Sequence, residues 1–211
     1  MTMLEKLSSK KHIIWDWNGT ILNDVGHAIE TMNGLLAKFD LDPLDKSRYQ
    51  KIFTFPIRHY YDELGFDYSV RSFEDLCHDF VDSFMEGVFD CELFDHVTPI
   101  LNEIKKQNKT QSVLSASDQD NLDKMIGHFK LGHLFDNVFG IEDKYGRSKS
   151  YRGKQLIEKS QISLADTVLI GDTIHDLEVG QELGVEVILV SHGHQSRSIL
   201  EKSHDSIVDP S

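Results

Sequence analysis

Five short apolar runs recur in the two ends of the chain: residues 12–17 (HIIWDW), 111–115 (QSVLS), 137–140 (NVFG), 167–171 (TVLIG) and 186–190 (EVILV). Each is continuous rather than alternating, the pattern of a strand covered on both faces. The first closes on Asn18-Gly19, a turn signal. Between the later runs, residues 99–106, 120–129, 154–159 and 176–183 carry apolar positions at helical spacing. Strands that alternate with helices predict crossover units and hence a parallel sheet. The expected fold class is α/β, with a Rossmann-like parallel sheet as its core.

The middle of the chain follows another rule. Residues 25–39 place Ile29, Met32, Leu35, Leu36 and Phe39 on one helical face, and residues 57–64 and 73–84 also read as helices. Pro56, after Phe53-Thr54-Phe55, marks a break between helices. No strand of the core type is expected here. The division that follows is a core of residues 1–22 and 93–211 with a helical cap of residues 23–92 inserted after the first strand.

Charge sharpens that division. Residues 23–92 hold 15 acidic and 6 basic side chains, the remainder 20 and 16. The middle is therefore an acidic, aromatic module. Over all 211 residues the net charge is −13, which argues against nucleic-acid backbones or anionic membranes as partners. An apolar fraction of 39% with 27% charged residues is that of an ordinary folded chain. Two cysteines, Cys77 and Cys91, support neither a disulfide framework nor a Cys-based zinc site. No apolar run reaches the ~20 residues of a membrane span, and the polar start MTMLEKLSSKK lacks the apolar stretch of a secretion signal. A cytoplasmic location is the expectation.

In open parallel sheets, ligands bind beyond the carboxyl ends of the strands. The sequence places Asp16-Trp17-Asn18-Gly19-Thr20, Ser115-Ala116-Ser117-Asp118 and Gly171-Asp172-Thr173-Ile174-His175-Asp176 there. Carboxylates that converge with small hydroxyls and glycines make a natural Mg2+ site, since that ion prefers a few carboxylates plus water and phosphate oxygens.

In this order DWNGT, the serine after the second strand, a lysine region at 149–154 and GDTIHD resemble the four motifs of the haloacid dehalogenase superfamily. The likeness is to its phosphoglycolate-phosphatase-like branch, whose helical cap follows the first motif. It covers nearly the whole chain. The resemblance implies a Mg2+-dependent phosphatase of small phosphorylated metabolites, with Asp16 as nucleophile forming an aspartyl-phosphate. It implies a metal held by Asp16, the Asn18 backbone carbonyl, Asp172 and Asp176, and phosphate contacts from Gly19, Ser115, Ala116 and a lysine. Lys149, 23 residues before Asp172, is preferred to Lys154 for that role.

One position departs from the family pattern. Phosphatases of this kind usually carry Asp two residues after the nucleophile, where it protonates the leaving oxygen; here it is Asn18. General acid–base help is typically worth 10²–10⁴-fold, roughly 3–5.5 kcal/mol of barrier. Three readings stay open. A phosphatase tolerates Asn18, by a good leaving group or by help from His27, His59 or His175. A phosphonate hydrolase, whose family motif resembles DWNGT, would need a cap lysine, Lys46 or Lys51. A phospholigand-binding protein would turn over little. Within the cap, the resemblance makes residues 53–58 the specificity loop, with Phe55 and the cation Arg58 facing substrate; an Arg58–Asp62 ion pair is the alternative for Arg58. His192 and His194 near the C-terminus read as loop histidines.

Overall fold

All five apolar runs form strands in the computed structural model, which describes residues 2–142 and 149–209. They are β1 (His12–Trp15), β4 (Thr110–Asp118), β5 (Asn137–Ile141), β6 (Thr167–Gly171) and β7 (Glu186–Val190), joined by a two-residue strand β8 (Ile207–Val208). Their order in the sheet is β5-β4-β1-β6-β7-β8, and neighbours pair parallel throughout. Trp15 of β1 lies opposite both Val113 of β4 and Ile170 of β6. The carboxyl ends of the three central strands therefore emerge side by side, with β1 at the point where the chain order turns.

Helices cover both faces, as continuous apolar strands require. On one face Ile13, Trp15, Val113, Val168 and Ile170 pack with α1 (Met3–Lys6), α6 (Val97–Lys106) and α7 (Gln119–His128). On the other, Ile14, Leu114, Leu169 and Leu189 pack with α8 (Lys149–Ser160), α9 (Ile174–Leu183) and α10 (Arg197–Leu200). Successive residues of β1 thus feed opposite layers, the period-two rule of a strand.

Residues between β1 and α6 build a third buried cluster. It combines α2 (Val25–Ala37), α3 (Lys46–Ile52), α4 (Ile57–Leu64) and α5 (Phe73–Gly87) around Met32, Leu36, Tyr49, Tyr60, Tyr61 and Leu76. Gly65 ends α4 in the left-handed region (φ 89°), and the Ser72 hydroxyl caps the start of α5 by accepting from the Asp75 N–H. A short antiparallel pair, β2 (Leu22–Asn23) with β3 (Glu92–Leu93), ties together the two chain crossings into this cluster. That ladder is too short to leave a periodic signal. Helix α3 also escapes sequence reading: KSRYQKI presents one buried aromatic, Tyr49, and no repeating stripe. Helix α8 starts five residues before the segment read from sequence, because its first turn, Lys149 to Arg152, is polar although buried at three positions.

Candidate active site

Asp16 is the residue after β1, and its backbone N–H donates to Ile170 O at 2.8 Å, continuing the ladder to β6. Asp172 follows β6 directly. Thr173 then caps α9: its hydroxyl meets Asp176, which returns by accepting from the Thr173 N–H (3.0 Å) and the Thr173 hydroxyl (2.6 Å). This capping box turns the other oxygen of Asp176 toward Asp16. One oxygen from each of Asp16, Asp172 and Asp176 lies within 4.8 Å of the others, and all three residues are buried.

Lys149, the first residue of α8, reaches into this group. Its Nζ pairs with Asp16 Oδ1 and, at 2.5 Å, with Asp176 Oδ1. Lys154 lies elsewhere, exposed and paired with Glu182 at 2.5 Å. Burial pushes the Asp16 carboxyl up to about 8; Lys149 opposes the shift, while Asp176 and Asp172 reinforce it. Asp172 is likewise raised by burial, to about 6. Burial would also raise Asp176, but the ammonium of Lys149 and the bonds from Lys149 and Thr173 hold it below its ordinary value. Three buried carboxylates beside one ammonium leave net negative charge in a dry place, the setting that favours a hard divalent cation with oxygen ligands. The donor set fits Mg2+.

The loops around the acids are close-fitting. Gly19 has φ +69°, and a Cβ there would stand 2.4 Å from Asp172 Oδ2. The Asp172 carboxylate accepts from the Thr20 hydroxyl (3.1 Å) and from the backbone N–H of His194 (2.6 Å). Ser115 is buried in the irregular end of β4, where its Oγ accepts from the Ser117 N–H at 3.0 Å. Asn18 is held from both sides: Nδ2 donates to Asp24 Oδ2 (2.8 Å), and Oδ1 accepts from the Ser117 hydroxyl (2.8 Å).

Two residues of this network are missed by sequence reading. Asp24 looks like an acid at a helix start, yet it is buried and accepts from the Gly19 N–H at 2.7 Å. His194 looks like a loop histidine, yet it is buried, with Nε2 3.4 Å from Asp24 Oδ1 and Nδ1 2.7 Å from Tyr49 Oη. Burial would lower His194, but Asp24, Asp172 and Asp16 carry it up to about 9. Only the Asp24–His194 distance in space gives this pair a signal; 170 positions separate the two in sequence.

The other candidates spread out. Phe55 stacks on His175 with ring centres 4.5 Å apart, at the start of α9 beside the acids. Arg58 is instead exposed over the rings of Tyr68 (4.9 Å) and Phe73 (4.7 Å), within the helical cluster. Asp62, the alternative partner for Arg58, accepts from the Tyr68 hydroxyl at 2.6 Å. His27 packs on Phe84 and bonds its carbonyl at 2.8 Å, and His59 is exposed. On α3, Tyr49 and Gln50 meet the loop after β7, whereas Lys46 and Lys51 are exposed. His192 packs tilted on Phe94, with ring centres 3.9 Å apart. No helix among the described residues is long and apolar enough to cross a membrane.

Comparison with known proteins agrees with this geometry. A family model described as haloacid dehalogenase-like hydrolase matches residues 13–190. A 5'-nucleotidase of Pseudomonas aeruginosa is 22% identical over 191 residues, covering 90% of this chain and 86% of the relative. A phosphoglycolate phosphatase of Synechococcus elongatus is 20% identical over 194 residues, 89% and 87% of the two chains. Among solved structures, a haloacid dehalogenase-like hydrolase from Streptococcus pneumoniae superposes with a TM-score of 0.81 at 17% identity, covering 96% of each chain.

Proposed function

This chain belongs to the haloacid dehalogenase-like hydrolase family, and on that footing we propose that it is a Mg2+-dependent phosphatase of small organic phosphates that works through an aspartyl-phosphate. The observation that carries the reading is the meeting of Asp16, Asp172 and Asp176 within 4.8 Å, with Lys149 among them. The phosphatase names of its relatives point the same way.

In this reading an oxygen of Asp16 forms the new bond to phosphorus while the bond to the leaving oxygen breaks. A carboxylate approaching a phosphate dianion is repelled; Asp16, the Asn18 carbonyl, Asp172 and Asp176 would hold a Mg2+, which would supply the positive charge that relieves this. Lys149 holds Asp16 in place and offers its ammonium to the phosphoryl group. The Ser115 hydroxyl and the Ala116 N–H bind phosphoryl oxygens, and the lack of a side chain at Gly19 lets the backbone come close. Water then attacks phosphorus, releasing inorganic phosphate and the free Asp16 carboxylate.

The helices of residues 23–92 act as a cap over the strand ends. Phe53 packs on His194 (5.1 Å) and Phe55 on His175, so the loop before α4 borders the acids. It excludes water and selects the substrate. The exposed position of Lys46 and Lys51 leaves a Schiff-base route to phosphonates without either of these cap lysines buried, and favours the phosphate reading. The deciding experiment is release of inorganic phosphate from a panel of metabolites with and without Mg2+. Asp16→Asn is expected to abolish hydrolysis of p-nitrophenyl phosphate; retained activity overturns the nucleophile.

A further inference from the structure

Position 18 follows Asp16 by two residues, and the resemblance to the family makes it the place from which a leaving oxygen is reached. Its carboxamide has no freedom to turn. Asp24 is buried and carries two other donors, the Gly19 N–H (2.7 Å) and His194 Nε2 (3.4 Å), so it faces Asn18 as a charged acceptor. An acceptor requires the amide nitrogen on its side, and the Ser117 hydroxyl at 2.8 Å then meets the amide oxygen. One N–H of Asn18 is left over from these bonds and can be offered to a substrate. It polarises a bond but gives up no proton.

Most of the other candidate proton carriers of the site already have partners. The Lys149 ammonium lies between Asp16 and Asp176. Both ring nitrogens of His194 are taken, by Asp24 and Tyr49. The His175 ring lies flat on Phe55, with Nδ1 3.7 Å from Glu178. The Thr20 hydroxyl donates to Asp172 at 3.1 Å and that of Ser117 to Asn18.

We propose that the natural substrate of this site is a phosphoric anhydride, an acyl phosphate or a phosphate–phosphate linkage, whose leaving group departs as a stable anion without a proton. This deepens the phosphatase reading and rests on it. The first step balances without an acid: Asp16 Oδ bonds to phosphorus, the bond from phosphorus to the bridging oxygen breaks, and its electron pair leaves on a carboxylate or phosphate. In the second, water bonds to phosphorus, the bond from phosphorus to the Asp16 oxygen breaks, Asp16 departs as carboxylate, and both water protons leave on the phosphate as H2PO4−, which passes one to solvent at neutral pH. An alkyl ester would have to expel a strongly basic alkoxide with only the Asn18 N–H to steady it, and would forgo the ~10²–10⁴-fold help of a general acid.

The test compares kcat/KM for acetyl phosphate, inorganic pyrophosphate, glycerol phosphate and a series of ring-substituted phenyl phosphates of graded leaving-group acidity, in the native protein and in Asn18→Asp, with Mg2+. The native protein is expected to cleave acetyl phosphate or pyrophosphate at least ~10²-fold better than glycerol phosphate, with a steep dependence on acidity along the phenyl series. Asn18→Asp is expected to flatten that dependence by improving the poorer leaving groups. Comparable rates on glycerol phosphate and both anhydrides, or a native slope as flat as that of Asn18→Asp, overturn the proposal and leave the phosphatase reading standing. Phosphate release from none of the compounds overturns both. If Asp16→Asn still cleaves acetyl phosphate, the aspartyl-phosphate step of both is overturned.

Discussion

Tyr49 on α3 and His194 in the loop after β7 meet through Oη and Nδ1 at 2.7 Å, which joins the inserted helices to the wall of the acid cluster. Three further bonds run beside it: Gln50 Nε2 donates to Gly193 O (2.7 Å), Gln195 Nε2 to Phe53 O (2.8 Å) and the Ser196 N–H to Gln50 O (3.4 Å). Because His194 also touches Asp24 and, through its backbone, Asp172, the seat of the helices and the shape of the site are one structure. Tyr49→Phe removes one bond and leaves a buried ring nitrogen without a partner. The expected loss is about 1–2 kcal/mol in a urea titration, with the midpoint moving and the slope unchanged. An unmoved midpoint would show that the bond adds nothing to stability.

The Asp24–His194 pair should be strongly coupled. Removing one member of a buried ion pair strands the other, at a cost of about 3–5 kcal/mol. Asp24→Asn and His194→Gln are each expected to destabilise the protein, and the double variant to lose much less than the sum. Additive losses in this double-mutant cycle would mean that the two side chains stand together without interacting.

Lys149 and Lys154 stand about one and a half turns of helix apart and differ in everything around them. Lys149→Met, which keeps the stem and removes the charge, is expected to lower kcat on p-nitrophenyl phosphate by two orders of magnitude or more, about 3 kcal/mol. Lys154→Met is expected to stay within twofold of the native protein, since it loses only an exposed pair with Glu182. Equal losses would mean that the buried position has no catalytic meaning.

That contrast also shows what a linear sequence can convey. The strands were legible because buried parallel strands need unbroken apolar runs, and Ile13, Ile14 and Trp15 supply one. The position of the acids was legible for the same reason: Asp16 and Asp172 sit where the runs stop. Tyr49 and His194 were not legible. Their importance comes from meeting each other across 145 residues of chain, which no local pattern records. Arg58 carries a similar lesson: a lone cation in an apolar loop suggests a substrate anion, and the fold sets it over the aromatic faces of Tyr68 and Phe73, which no local pattern records.

Acid should weaken the fold through two histidines, the buried His12 and the half-buried His192. Burial holds His12 down to about 4 against a small opposing pull from Asp136, and burial together with His96 holds His192 at about 4 against the Thr20 carbonyl and Asp209. Below pH 6.5 the unfolded chain takes up protons on these rings that the folded chain refuses. Their contribution is therefore complete above pH 6.5 and is lost as pH falls toward 4. Each is expected to cost on the order of 1–2 kcal/mol between pH 7 and pH 5. Urea titrations at the two pH values, repeated with His12→Gln and His192→Gln, measure it; an undiminished drop in the double variant would place the effect elsewhere.

Metal binding should be visible without any substrate. Three buried carboxylates share one ammonium, so their mutual repulsion burdens the folded state until a cation joins them. A ligand that binds only the folded chain stabilises it by RT ln(1 + [L]/Kd), about 2.7 kcal/mol at a hundredfold excess over Kd. Millimolar Mg2+ is accordingly expected to raise Tm by several degrees over an EDTA-treated sample. Asp172→Asn should abolish most of that shift and raise the Tm of the metal-free protein, because it removes one of the repelling charges while keeping the side chain's size and an oxygen for Thr20 to donate to. If the shift persists in Asp172→Asn, the ion sits somewhere other than among these acids. If the metal-free variant melts below the native protein, the bonds that Asp172 accepts from Thr20 and His194 outweigh the repulsion it feels.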